Sequence, residues 1–171
     1  LSFVQKPWES ISLLNNSNTI LVRSMSKDYA QTAIRLGYAL ASAKIVSELR
    51  SIQPDWSVNS LAQKTGICAL NDENYINNVR ETVFSSKNFL EKALTDFGLE
   101  IVHSDANFIL IKVDSASKWR SLLLKKGIVV RDCTSFGLPN YVRVGIRIIS
   151  DCKILVNAIK ELLPVLEAKQ D

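Results

Sequence analysis

Cysteine and histidine are scarce in this chain of 171 residues, which contains three cysteines and a single histidine. The cysteines, Cys68, Cys133 and Cys152, are odd in number and far apart, without the C-x-x-C spacing typical of a zinc site. We therefore expect reduced, mostly buried thiols and no disulfide framework. His103 has no cysteine or histidine beside it, so we expect no metal site and interpret it as a surface or strand-end residue.

Long hydrophobic runs and clusters of basic residues are also absent. No apolar run approaches the ~20 residues that span a bilayer, and the start lacks the charged-then-apolar pattern of a signal peptide. The net charge is +4, but lysine and arginine are scattered and do not alternate with aromatic residues, which argues against nucleic-acid binding. The remaining composition, 47% hydrophobic and 22% charged, is typical of a globular protein. We expect a soluble, cytoplasmic protein without membrane contact.

A short apolar run at residues 19–22 leads into polar side chains at Ser24, Ser26 and Lys27, and Arg35 follows. The run predicts a buried strand, and α/β sheets bind ligands at strand ends. In an extended segment the two serine hydroxyls lie on one side, and a guanidinium returning from the next turn can bind phosphate. An uncharged lysine amine can attack a carbonyl. The competing interpretation is a strand followed by an ordinary solvated turn.

A longer pattern surrounds this cluster. It reads Arg-Ser-Met-Ser-Lys-Asp-Tyr-Ala at 23–30 and Ile-Arg-Leu-Gly-Tyr-Ala-Leu-Ala at 34–41. The pattern closely resembles the lysine region of class I/II pyridoxal-phosphate-dependent aminotransferases, in the branch containing histidinol-phosphate aminotransferase and threonine-phosphate decarboxylase. The resemblance implies that Lys27 bonds to the aldehyde of pyridoxal 5'-phosphate (PLP), and that Ser24, Ser26 and Arg35 hold its phosphate. It also implies amino-group transfer between an amino acid or amine and a 2-oxo acid, by an enzyme that is a homodimer when complete.

Hydrophobic periodicity divides the rest of the chain into helices and strands. The clearest signal is a helix over 71–97, with Asn71 or Asp72 as its cap and Gly98 as its stop. About 25 residues at 1.5 Å each span ~37 Å, enough to bridge two domains. The other predicted elements are helices over 38–51, after Ser60, over 117–126 and from about Asp151, and strands over 100–103, 107–113, 128–131 and 141–146.

The resemblance turns this order into a fold prediction. The class is α/β, and the chain corresponds to the C-terminal part of the PLP-dependent transferase fold. Residues 1–72 would end the large mixed-sheet domain, residues 73–97 would form the bridging helix, and residues 98–171 would form the small domain.

Two arginines and an asparagine in the predicted small domain are further candidates. An arginine inside Val-Arg-Val-Gly-Ile is costly to bury unpaired, and alternation puts Arg143 and Arg147 on one face of a strand. A half-solvated strand explains that pattern without a function. The resemblance instead implies that Arg143 grips the substrate α-carboxylate, that Arg131 contacts the substrate's carboxylate or phosphate end, and that Asn107 lies near the carboxylate. A turn residue capping the strand is an equally good interpretation of Asn107.

The chain begins at Leu1 and its only methionine is Met25, so we expect a fragment or a processed product. The family's aspartate for the pyridinium nitrogen, its ring-stacking aromatic and its glycine-led phosphate amides lie upstream of the matched region. The chain also has Gln31-Thr32-Ala33 where the family has a glycine-containing turn.

Three hypotheses follow from the residues and the resemblance. The first is part of a histidinol-phosphate type transaminase. The second is part of a threonine-phosphate decarboxylase, with which the Val-Arg-Asp-Cys-Thr-Ser-Phe-Gly segment and the pair Arg143 and Arg147 are at least as compatible. The third, from another class, is a noncatalytic interaction domain.

Overall fold

The computed structural model describes residues 3–4, 8–16 and 18–167. These residues form two compact units, one of residues 8–79 and one of residues 80–167 with 3–4. The division falls between Val79 and Arg80, inside the longest helix of the described chain. None of the described helices is long and apolar enough to cross a bilayer.

The first unit contains a two-stranded antiparallel sheet. The first four elements of the unit are a 3-10 helix (Ser10–Asn15), strand β1 (Ile20–Ser24), the short helix α1 (Met25–Asp28) and strand β2 (Gly37–Ala41). Ile20 lies opposite Ala41 and Ser24 lies opposite Gly37. Both ends of the loop that joins the strands therefore lie next to α1.

Two predictions for this unit are wrong. The run at residues 19–22 is not buried, since Val22 is 79% exposed. Successive side chains point to opposite faces of a strand, and within the described residues β1 pairs only with β2. The helix expected from Tyr38 begins instead at Ala43, because residues 37–41 pair with β1 and the Ser42 hydroxyl caps the helix.

Three helices follow, namely α2 (Ala43–Ile52), α3 (Ser60–Asn71) and α4 (Tyr75–Asp96). The short helix predicted after Ser60 is confirmed, and the Asn59 side chain caps it by accepting from Ala62 N–H at 2.8 Å. The helix predicted over 71–97 is confirmed in a shorter form. Asp72 Oδ1 accepts from the N–H of Tyr75 at 3.1 Å, as a cap does.

The second unit contains a four-stranded antiparallel sheet. Its elements are β3 (Ile101–Val102), β4 (Phe108–Lys112), α5 (Ala116–Lys125), β5 (Arg131–Asp132), a 3-10 helix (Thr134–Phe136), β6 (Tyr141–Gly145) and α6 (Ile149–Glu167). The strands lie in the order β3-β4-β6-β5. One face of the sheet packs with α4, α5 and α6. The buried core includes Leu90, Leu94, Ile109, Ile111, Trp119, Leu123, Val142, Val144, Leu155 and Ile159.

The prediction of a strand over 128–131 is only partly correct. Ladder pairing with β6 begins at Arg131 and ends at Asp132. Residues 128–130 have no ladder partner among the described residues, and Val129 is 76% exposed whereas Val130 is 4% exposed. An apolar run therefore does not specify pairing, because pairing needs a neighbouring strand as well as suitable side chains.

Candidate functional site

The candidate lysine lies in a tight turn at the end of β1. Ser24 caps α1, since its Oγ accepts a hydrogen bond from Ser26 N–H at 3.2 Å. Ser26 therefore lies in a helical turn, and the expectation that the two hydroxyls share one side of an extended segment is wrong. Lys27 is exposed, and its amine forms neither an ion pair nor a hydrogen bond within the described residues.

The loop after α1 brings Arg35 back to this turn. Ser24 pairs with Gly37 in the sheet, and Met25 N–H donates to the carbonyl of Leu36 at 3.1 Å. Arg35 is exposed, and its Nη1 donates to Thr32 O at 2.9 Å. A guanidinium has five N–H donors, so several remain for another acceptor.

The loop backbone departs from the ordinary right-handed regions at two positions. Ala30 has φ 54° and Arg35 has φ 61°, whereas Gln31, Thr32 and Ala33 are not among the residues with positive φ. This chain therefore makes its turn without the glycine of the family pattern, at a conformational cost that side chains other than glycine incur.

Helix α3 supports the turn from behind. Met25 is 2% exposed, and a Cβ at Gly66 would lie 2.5 Å from Leu36 Cδ2 and 3.9 Å from Met25 Sδ. Gln31 Nε2 also donates to Thr65 O at 3.1 Å. Sequence reasoning missed this support, although a glycine inside a helical pattern is a recognised sign of close packing.

An aromatic pair lies in the same unit. The rings of Tyr29 and Tyr75 stack with their centroids 5.5 Å apart and their planes 12° from parallel. Burial, followed by the proximity of Tyr38 and Asp28, raises the pKa of Tyr29 above its ordinary value. Its phenol therefore stays protonated at neutral pH, and its ring packs on that of Tyr75.

The two candidate arginines of the second unit lie opposite each other. Arg131 in β5 and Arg143 in β6 are paired in register, so their side chains share one face of the sheet. Arg131 Nη2 donates to Ser135 Oγ at 2.9 Å, and the Arg143 guanidinium lies 5.1 Å from the ring centroid of Phe108. Neither arginine forms an ion pair in the described part of the chain.

The remaining candidates have simpler surroundings. Asn107 is half-buried directly before β4, and its backbone carbonyl accepts from Ile146 N–H at 2.9 Å. Arg147 Nε pairs with Asp151 Oδ2 at 2.7 Å, as expected of a solvated strand-end residue. His103 is largely exposed, with its Nδ1 3.6 Å from Glu91 Oε1.

The donor groups in the lysine turn fit a phosphorylated aldehyde. The Ser26 hydroxyl accepts and donates no hydrogen bond within the described residues, and the Ser24 hydroxyl proton is free although its oxygen accepts from the backbone. With the spare N–H groups of Arg35, these donors suit a phosphate dianion, and the Lys27 amine suits a carbonyl carbon. The described cysteines add no ligand set: Cys133 and Cys152 are buried, as predicted, and Cys68 is exposed.

Comparison with known proteins gives a consistent family. The profile of the family described as aminotransferase class I and II matches residues 2–159. A histidinol-phosphate aminotransferase of Caldicellulosiruptor saccharolyticus is 35% identical over 148 residues, which are 85% of this chain and 41% of that protein.

Two solved structures extend the comparison. The histidinol-phosphate aminotransferase of Clostridium acetobutylicum has a TM-score of 0.85 at 26% identity, covering 96% of this chain and 52% of that one. The L-threonine-O-3-phosphate decarboxylase of Porphyromonas gingivalis has a TM-score of 0.79 at 20% identity, covering 96% of this chain and 53% of that one. The α/β fold expected from the sequence is thereby confirmed. The chain spans about half or less of the length of these proteins.

Proposed function

Because this chain belongs to the aminotransferase class I and II family, we propose that it is part of a PLP-dependent aminotransferase. The amino donor would be histidinol phosphate or a related amino acid or amine, and the acceptor would be a 2-oxo acid. The observation that carries this proposal is the return of Arg35 to the Ser24–Lys27 turn through the Met25–Leu36 hydrogen bond.

In this proposal different residues of the turn bind the cofactor phosphate and form the covalent bond to the cofactor. Ser24, Ser26 and Arg35 hold the cofactor phosphate with hydroxyl and guanidinium donors. Lys27 supplies the amine that bonds to the cofactor's aldehyde. Ser24 also caps α1, the helix that contains Lys27. The residue that binds phosphate therefore also positions the backbone that carries the lysine.

PLP, when bound, supplies an electron-withdrawing ring that stabilises negative charge on the substrate α-carbon. With PLP in place, Lys27 Nζ would take the proton from the substrate α-carbon as a general base and deliver it as a general acid to the cofactor carbon that bore the aldehyde. Arg143 binds the α-carboxylate of an amino-acid or 2-oxo-acid substrate in a planar, bidentate manner. Arg131 binds the opposite carboxylate or phosphate end, and Asn107 lies near the carboxylate.

The proposal extends to the organisation of the complete protein. Residues 1–72 belong to the large cofactor domain, residues 73–97 to a bridging helix and residues 98–171 to the small domain. The complete enzyme is a homodimer and is cytoplasmic. These assignments rest on family membership and on the length of α4, which runs for 22 residues.

The test is the visible absorbance of the full-length protein after addition of PLP. We expect Lys27→Ala to abolish the absorbance band of the lysine-bound cofactor, because Lys27 provides the covalent attachment. Lys64→Ala is the matched control, since Lys64 is another exposed lysine of the same unit. A full-length Lys27→Ala protein that keeps the band would show that another lysine binds the cofactor.

The reaction type needs a second measurement with the same protein. Incubation with a 2-oxo acid and, in separate reactions, histidinol phosphate or a phosphorylated amino acid should give amino-group transfer to the oxo acid. Release of CO2 without consumption of the oxo acid would instead identify the decarboxylase alternative. Absence of PLP binding by the full-length protein would favour a noncatalytic interaction domain.

A further inference from the structure

The ring of Phe136 lies against both arginines of the second unit. Its centroid is 5.1 Å from the guanidinium carbon of Arg131 and 5.9 Å from that of Arg143. Distances up to about 6 Å are those of cation–π contacts. Phe136 is 57% exposed, so the ring is not part of the hydrophobic core. Its position is therefore better explained by the arginines than by core packing.

The two arginines need such a neighbour because of their register. Like charges directly opposite each other on adjacent strands destabilise a sheet, and Arg131 lies directly opposite Arg143. Within the described residues no carboxylate pairs with either of them. The negative face of an aromatic ring offsets part of that repulsion. A bound anion would offset the remainder.

The turn that carries Phe136 is held by its own hydrogen bonds. The N–H and the hydroxyl of Thr134 both donate to Asp132 Oδ1, at 2.8 and 2.6 Å. Phe136 N–H donates to the carbonyl of Cys133 at 2.8 Å, and Cys133 is 1% exposed. The ring is thus presented from a backbone that is anchored to the core of the unit.

We propose that Phe136 is a positioning residue that holds the guanidinium groups of Arg131 and Arg143 side by side as a joint site for the anionic groups of the substrate. This inference rests on the function proposed above, in which both arginines bind substrate. Phe136 acts through the arginines and does not touch the reacting atoms. Without the ring, Arg131 keeps its hydrogen bond to Ser135 and Arg143 keeps its contact with Phe108, but the one side chain that contacts both guanidiniums is lost. Substrate binding then has to bring the two guanidiniums together.

The experiment compares Phe136→Leu and Phe136→Tyr in the full-length, PLP-loaded protein. Leucine keeps apolar bulk but removes the π face, whereas tyrosine retains it. Leu138→Ala is the matched control, because Leu138 is in the same loop, is 38% exposed and has no ring that could contact an arginine. The readouts are KM and kcat for histidinol phosphate, and the rise in melting temperature on addition of inorganic phosphate.

We expect Phe136→Leu to raise KM about five- to tenfold, the combined effect of two exposed cation–π contacts. Its kcat should stay within about twofold of wild type, since the reacting groups are unchanged. The stabilisation by inorganic phosphate should shrink in parallel. Phe136→Tyr and Leu138→Ala should behave like the wild-type protein.

Three outcomes would overturn the inference, and they differ in what else they affect. An unchanged KM in Phe136→Leu, with a raised KM in Arg143→Ala, removes the role of Phe136 and leaves the proposed function intact. An unchanged KM in Arg143→Ala as well removes the proposed substrate site itself. A fall in kcat and in melting temperature shared by Phe136→Leu and Phe136→Tyr indicates a purely structural role for the ring.

Discussion

Gly37 is the residue that allows β2 to approach the end of β1. A Cβ at this position would lie 2.7 Å from the backbone carbonyl oxygen of Arg23, and a backbone atom cannot move aside as a flexible side chain can. Ser24, which follows Arg23, is the paired residue of Gly37 and the cap of α1. Any side chain at Gly37 therefore displaces the strand end on which the lysine turn is built.

We expect Gly37→Ala to destabilise the full-length protein by about 1–3 kcal/mol, the usual cost of overpacking. Urea unfolding monitored by circular dichroism measures this change. Gly145→Ala is the matched control, because Gly145 also ends a strand but a Cβ there meets nothing within 4 Å. Equal stability of the Gly37→Ala and wild-type proteins would mean that the strand pair accommodates the clash without loss.

A carboxylate directly before helix α5 accepts hydrogen bonds from side chains of that helix. Asp114 accepts from Lys118 Nζ at 2.8 Å and from Trp119 Nε1 at 3.0 Å. Burial opposes ionisation of this carboxyl, but the hydrogen bonds from Lys118, the Ser115 backbone and Trp119 outweigh it and lower the pKa of Asp114. Trp119 is 4% exposed, so this contact links the helix terminus to the core.

The lowered pKa predicts the direction of a pH effect. Asp114 contributes stability above its ordinary pKa of about 3.9, and that contribution is lost as the pH falls through the lower pKa of the folded protein. We expect Asp114→Asn to lower the free energy of unfolding at pH 7. We also expect the free energy of unfolding of this variant to fall less steeply with acidification than that of the wild type, as measured by urea unfolding between pH 7 and pH 2. Asp105→Asn, at an exposed aspartate, is the control. An acid limb identical in Asp114→Asn and wild type would contradict this prediction.

At the scale of elements, the helices with clear caps and stops were predictable and β2 was not. Asn59, Asp72 and Gly98 mark helix boundaries by local chemistry, which a sequence displays directly. Residues 38–41 have the composition of a helix, yet they pair with β1. The gain from ladder hydrogen bonds depends on a partner strand elsewhere in the chain, so local propensity did not reveal it.

Several large apolar side chains of the first unit are exposed. Trp56 is 97% exposed, Val22 is 79% exposed and Ile52 is 76% exposed. The relative that is 35% identical to this chain is more than twice as long as the region the two share.

We therefore expect the 171-residue chain by itself to bind PLP weakly or not at all. A longer protein that includes the remainder of the family fold should bind it tightly, because the expected partners of the pyridinium ring and of the far side of the phosphate are then present. Spectrophotometric titration with PLP compares the two proteins. Tight, stoichiometric binding by the 171-residue chain would show that the described residues already form a sufficient site.

The sequence by itself determined the family, the lysine turn as the leading candidate site and most helices, because motifs, caps and apolar periodicity are local properties of the chain. Only the tertiary structure decided that Ser26 lies in a helical turn, that Gly66 packs behind that turn and that Arg131 pairs with Arg143 beside Phe136. These relations join residues far apart in the chain or depend on hydrogen bonding in three dimensions. Strand register and close approach arise from packing, which no local spacing specifies.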